Sequence, residues 1–315
     1  MAEPLSVLHI IKTIIGVIGL IGNGVVATVI CKVKFMHTLT NAFICNQAVV
    51  DFLGSLFLIV TSTIPVPDPS PHTSACKLWL PDVLLWACFT SSTFNLLSVS
   101  CERYVAIVVP FKYATLYTKK SVTCMIVAIW LLGPIFEAPY EAALTTYKDG
   151  FCLLSSEIAW FCVVFFLVKL FVPAILMIFF YSHMAVKLKR SANRIAVIAP
   201  TVSGQVESAP GDRMGESHRE NAEQSLLRAR RNIFKTLLLV LITFLVCWTP
   251  NQLFILMVNL GCSMDSTGTI YIISVSLVAI NSCANPFIYA FKYRRFRRGF
   301  LSLIGRKIQT EGDMS

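Results

Sequence analysis

The chain has 315 residues, 56% of them hydrophobic and only 14% charged, with a mean hydropathy of +0.69 and a formal net charge of +10. Soluble domains carry about 25% charged residues, and 27 basic plus 17 acidic side chains cannot solvate a surface this apolar. A water-soluble globule, a disordered chain and a nucleic-acid module are excluded, and lipid becomes the main solvent.

About 20 lightly charged apolar residues are needed to cross roughly 30 Å of hydrocarbon as a helix. Seven such runs occur in chain order, over 6–31, 39–64, 77–108, 121–143, 157–186, 233–259 and 267–291. The third is interrupted by Ser91, Ser92, Thr93, Asn95 and Ser98, which predicts that it faces protein rather than lipid. The first run has no basic leader or cleavage site before it and reads as a span, not a removable signal peptide. A polar stretch over 191–231, with Gly204, Pro210, Gly211 and several serines, reads as a mobile loop between spans five and six.

The basic residues orient the spans. Lys32, Lys34, Arg103, Lys112, Lys119 and Lys120, the run from Lys187 to Lys235 and the run from Lys292 to Lys307 all fall on one side, 23 of the 27 Lys and Arg. The positive-inside rule makes that side cytoplasmic, with the N-terminus outside and the C-terminus inside. Charge is thus an orientation signal, with no nucleic-acid partner implied.

Most of the eleven cysteines lie within spans, where a thiol behaves as a small apolar group. Cys76, Cys152 and Cys262 fall in outer segments, where disulfides can form. A Cys76–Cys152 bridge would pin the loop between spans four and five over the mouth of the bundle. Zinc is disfavoured, since no C-x-x-C or paired His accompanies them.

Polar groups inside spans cost free energy, so each is a candidate functional residue. Asp51 sits mid-span, with Asn23, Ser92, Asn281, Ser282 and Asn285 at matching depth. This reads as an interhelical hydrogen-bond cluster and, compatibly with that, as a small-cation site, because carboxylate, hydroxyl and amide oxygens suit a hard ion. Glu102-Arg103-Tyr104 closes the inner end of span three, where Arg103 either snorkels to headgroups or forms a switchable ion pair with Glu102. Asn285-Pro286 above Tyr289, Trp248-Thr249-Pro250 and Pro173 are hinge candidates, because proline deletes a helical hydrogen bond.

Gly22-Asn23-Gly24-Val25-Val26, the Asp51 segment, Glu102-Arg103-Tyr104-Val105-Ala106-Ile107, Trp130, Pro173 with Tyr181, Phe244-x-x-Cys247-Trp248-Thr249-Pro250 and Asn285-Pro286-Phe287-Ile288-Tyr289 occur in this order along the chain. Together they resemble a rhodopsin-like (class A) G protein-coupled receptor, over essentially all of residues 6–304. The resemblance implies an all-α seven-helix bundle in the plasma membrane, with a short amphipathic eighth helix over 292–304 and a cytoplasmic tail over 305–315. It implies that Arg103 is released from Glu102 on activation to meet a heterotrimeric G protein. Asp51, Ser92, Asn281 and Asn285 would form a sodium pocket, and no other cofactor is expected. Trp248 would be the toggle beneath the ligand, Phe244 its relay and Pro250 its hinge. Tyr181 and Tyr289 would swing inward, and Phe111 would dock on the G protein. Arrestin, receptor kinases and membrane lipids follow as further partners. Two departures stand out. Cys76 precedes Arg103 by 27 residues, two more than the family usually shows, and Arg230 stands where an acid often locks span six to the arginine.

For the ligand, the position of an amine-binding Asp is held by Leu85, with Asp82 one turn higher, and the retinal-lysine position by Ala279. The wording around Trp248 and Asn285 is more like the peptide-receptor branches. Lys169, one turn above Pro173, either bridges to Glu137 or receives an anionic ligand group; small acidic or lipid ligands are the alternative to a peptide. Asn251, Gln252, Tyr271, Thr61 and Ser62 are further pocket candidates by depth. A transporter or channel is the rival class, since intramembrane Asp and Lys also mark ion paths, but inverted repeats and paired broken helices are not seen. An enzyme has no support, because no nucleophile–base set, Walker loop or metal spacing appears.

Overall fold

The computed structural model describes residues 2–64, 82–148, 151–154, 159–202, 210–264 and 268–305. Among these, seven helices are long and apolar enough to cross a membrane: Val7–Lys32, Leu39–Thr63, Val83–Val108, Lys119–Pro139, Val163–Asn193, Arg230–Val258 and Thr269–Lys292. Helices satisfy every backbone group internally, as hydrocarbon requires, and each presents one apolar face to lipid and one to protein. In the first span Ile10, Ile14 and Ile21 point outward, while Val26, Val29 and Ile30 are buried.

The third span is the central one. Its most apolar window is 72% buried, against 22% for the fourth, which lies at the periphery. Small residues set how closely the neighbours approach. A Cβ on Gly133 of span four would lie 2.0 Å from Ser91 Oγ and 2.6 Å from the Ala87 carbonyl of span three. One on Gly19 of span one would lie 2.2 Å from Ser55 Oγ of span two.

Several boundaries differ from those read off the sequence. The third helix starts at Val83 because Asp82 is left-handed (φ 55°) and cannot continue a helix upward. The stretch over 191–231, expected as a loop, is helical at both ends: the fifth helix runs on to Val202 and the sixth begins at Pro210. The sixth helix has 50 residues, about 75 Å at the usual rise, and so projects well beyond the bilayer. Its polar part, 210–232, holds five Arg and three Glu, both strong helix formers, and Pro210 takes the first-turn position where a missing N–H costs nothing. The fifth helix contains a π-turn, Leu167–Phe171, in which the Val172 N–H reaches back to the Leu167 carbonyl. That extra residue lies immediately before Pro173, whose ring would otherwise crowd the preceding turn.

A β-hairpin stands between spans four and five, β1 (Thr145–Lys148) paired antiparallel with β2 (Phe151–Leu154), with Tyr147 opposite Cys152. The all-α bundle thus carries one small strand pair. The expected Cys76–Cys152 bridge lies outside the described residues: Cys76 is not among them, and of Cys152 only the backbone is.

Tyr293 breaks the seventh helix, and a strongly amphipathic helix, Arg294–Leu303, follows with Phe296 buried and its arginines exposed. Tyr293 Oη donates to Asn41 Oδ1 at 2.8 Å, and Arg295 donates to the Phe35 carbonyl at 2.6 Å. These bonds tie the end of the seventh helix to the second, and the eighth helix to the loop that joins the first two spans.

Candidate functional site

The polar residues fall into three layers along the bundle axis. In the outer layer, Trp248 is 1% exposed and packs edge-on against Trp86 at 6.4 Å and Phe89 at 6.3 Å, with Phe244 below it at 5.9 Å. Beside Trp86 lies an ion pair. Lys169 Nζ is 2.7 Å from Glu137 Oε1 and 2.8 Å from Oε2, and its ammonium stands 5.4 Å from the Trp86 ring centre and 4.8 Å from that of Phe165. Glu137 is fully buried and also accepts from Thr90 Oγ1. Of the two readings of Lys169, this geometry is the bridge: the π-turn carries the side chain into the bundle, where a carboxylate and two aromatic faces neutralise it.

The other expected pocket residues divide. Asn251 donates to Ser274 Oγ at 3.4 Å, Ser274 donates to the Tyr271 carbonyl at 2.8 Å, and Tyr271 packs on Phe254. Gln252 and Leu85 are buried, and Ser62 bonds back to the Leu58 carbonyl of its own helix. Asp82 does not join this group. It pairs with Lys12 of the first span at 3.7 Å.

In the middle layer, Asp51 Oδ2 accepts from Asn285 Nδ2 at 2.8 Å and from Gln47 Nε2 at 2.9 Å. Gln47 Nε2 also donates to Ser92 Oγ. Asn23 does not reach Asp51; it donates to the carbonyls of Gly19 and Ser282, tying spans one and seven together. Asn281 is buried one turn above Asn285. Asp51 Oδ1 is buried with no hydrogen-bond partner among the described residues. A dehydrated sodium ion needs several oxygen lone pairs converging on one point. Here N–H groups take Asp51 Oδ2 and one side of Ser92 Oγ, and Asn285 presents its N–H rather than its oxygen. Asp51 Oδ1 and one lone pair of Ser92 Oγ are the only oxygen sites these bonds leave, and the Gln47 and Asn285 N–H groups turn positive dipoles toward the same space, so this donor set does not fit the ion.

In the inner layer, both Glu102 oxygens hold the Arg103 guanidinium, through Nε and Nη2. Glu102 Oε1 also accepts from Thr40 Oγ1 at 3.1 Å and from Tyr113 Oη at 2.5 Å. Tyr113 belongs to a short inner-loop helix, Pro110–Leu116, which also carries Phe111, 95% exposed. Burial, with the bond to Glu102 second, pushes the Tyr113 phenol up to about 12, so it stays a donor at physiological pH. Tyr104 bonds His183 of span five at 3.1 Å. Tyr181 is buried against Phe234 and receives a 3.4 Å hydrogen bond from Ser100, and Tyr289 is buried above Tyr293. Arg230 supplies no acid for Arg103, whose only ion pair among the described residues is with Glu102.

Sequence reasoning missed Gln47, Thr40, Thr90 and Tyr113. Gln47 was open to it, since it lies one helical turn before Asp51 and so on the same face. The other three meet their partners through contacts more distant in sequence, from 11 to 62 residues away.

Residues 22–289 match the family model described as 7 transmembrane receptor (rhodopsin family). The chain is 28% identical to neuromedin-U receptor 1 of Mus musculus over 96% of its own length and 73% of that protein's. It is 28% identical to the allatostatin-A receptor of Bombyx mori over 91% of this chain and 76% of that one. It is also 26% identical to cholecystokinin receptor type A of Homo sapiens, over 93% and 79% respectively. With seven spanning helices and a family match over most of its length, the chain belongs to the rhodopsin family of seven-transmembrane receptors.

Proposed function

We propose that this receptor carries an extracellular peptide signal across the plasma membrane to a heterotrimeric G protein, with its N-terminus outside. The observation that carries the reading is the inner layer. Arg103 is 14% exposed at the cytoplasmic end of the central helix, held by the adjacent Glu102 in a form that a competing partner can displace. The charge bias of the loops supports the orientation, and the names of the similar receptors support a peptide ligand. A small acidic ligand is less well supported, because the Lys169 charge is already met by Glu137.

Agonist bound against the outer layer would press on the Trp86–Trp248 contact and relax the helix at Pro250 and at Pro286. Span six would then move outward, exposing Arg103, Tyr181 and Tyr289, while Phe111 supplies an apolar contact for the G protein. The same cleft would serve arrestin and receptor kinases, and the arginines of the eighth helix would face inner-leaflet lipid. The ligand shifts the equilibrium only by its preference for the open state.

The test is agonist-dependent nucleotide exchange on a purified G protein, using a peptide agonist from a library screen. Exchange that is lost in Arg103→Ala, with agonist binding and surface expression kept, supports the reading. Unchanged exchange in that variant refutes it.

A further inference from the structure

The middle layer contains a hydrogen-bond chain with one direction. Trp130 Nε1 of span four donates to Asn46 Oδ1 of span two at 2.8 Å, and Asn46 Nδ2 donates to Asn95 Oδ1 of span three at 2.9 Å. Asn95 Nδ2 donates to Gln47 Oε1 at 2.7 Å, and Gln47 Nε2 donates to Asp51 Oδ2 at 2.9 Å. Four donors in series thus point toward a single carboxylate, the arrangement in which each bond polarises the next.

The amide orientations follow from the two ends. An indole N–H only donates, so Asn46 must offer Trp130 its oxygen and turn its NH2 to Asn95. A backbone carbonyl only accepts, and Asn95 Nδ2 also donates to the Phe43 carbonyl at 3.0 Å, so its NH2 faces span two. Both constraints require Gln47 to give Asn95 its oxygen and keep its NH2 for Asp51 and Ser92. Rotating the Gln47 amide to offer an oxygen to an ion would set N–H against N–H at Asn95. All four amide and carboxylate side chains are buried, so the displaced groups would have no water to turn to.

We propose that Gln47 takes the place of a cation in this pocket: its two N–H groups hold Asp51 and Ser92 together, and the closed bundle is insensitive to sodium. The inactive state is then latched by a residue the chain always carries, rather than by an ion whose occupancy follows the medium.

The test uses purified full-length receptor and reads thermal unfolding, so it stands apart from whether the chain couples to a G protein. Midpoints are measured in sodium chloride and in N-methyl-D-glucamine chloride at equal ionic strength. The wild type should unfold at the same temperature in both. Gln47→Leu should acquire a saturable sodium-specific rise of about 3 °C, absent when Asp51→Asn is added. A saturable sodium-specific rise in the wild type that Asp51→Asn removes would overturn the proposal, as would a folded Gln47→Leu with no sodium response. Should Gln47→Leu fail to fold, Gln47→Met takes its place, and the comparison of wild type with Asp51→Asn decides the matter alone: equal responses to sodium support it and unequal ones refute it.

Discussion

Tyr113 of the inner-loop helix donates a 2.5 Å hydrogen bond to the same Glu102 oxygen that helps to hold Arg103. The loop that carries Phe111 is therefore wired to the ion pair of the central helix. Tyr113→Phe removes the bond and leaves the ring, so the loop is no longer tied to the ion pair and the closed arrangement loses one of the contacts that favour it. Basal signalling in transfected cells should rise about two- to tenfold, the effect of one ordinary hydrogen bond on a two-state balance. An unchanged basal level at equal surface expression would show that the bond does not bias the switch. The pH dependence has a definite sign. The folded phenol is raised from 10.0 to about 12, so the contact contributes fully below pH 10 and is lost as pH climbs toward 12.

Lys169 and Glu137 form a buried pair, and removing one partner strands the other charge. Lys169→Ala should lower thermal stability by about 3–5 kcal/mol, seen as reduced surface expression as well as reduced ligand potency. The double variant Lys169→Met with Glu137→Gln should recover most of that loss, because neither charge is left alone. If Lys169→Ala costs potency while expression stays at the wild-type level, the ammonium serves the ligand instead.

Two glycines offer opposite outcomes for one substitution. Gly133→Ala drives a methyl against the Ala87 carbonyl, which cannot turn aside, and should destabilise by about 1–3 kcal/mol. Gly24→Ala meets only the edge of Phe52 at 3.6 Å, and should be neutral or stabilising by up to about 1 kcal/mol through helix propensity. Thermal unfolding of the two purified variants checks both.

Phe111 touches little within the receptor, so Phe111→Ala should leave stability within about 0.5 kcal/mol of wild type. Nucleotide exchange on the G protein should nonetheless fall at saturating agonist. A loss of stability equal to the loss of exchange would assign the ring to the fold rather than to the partner.

Much of this receptor was legible in its sequence because lipid makes the rules severe. Long apolar runs must be helices, basic loops must stay inside, and a polar side chain such as Asp51 or Glu102 in mid-bundle must find a partner. The identity of the partner was decided by tertiary structure. Hydropathy left Lys169 open to Glu137 or to a ligand, and only the π-turn, with the resulting register of span five, joined it to Glu137. Asp51 likewise had several polar groups at matching depth, and the packing of the helices gave its Oδ2 to Gln47 and Asn285 while Asn23 turned to the Ser282 carbonyl. Composition determines which groups cannot be left alone in hydrocarbon; the crossing of the helices determines which of them meet.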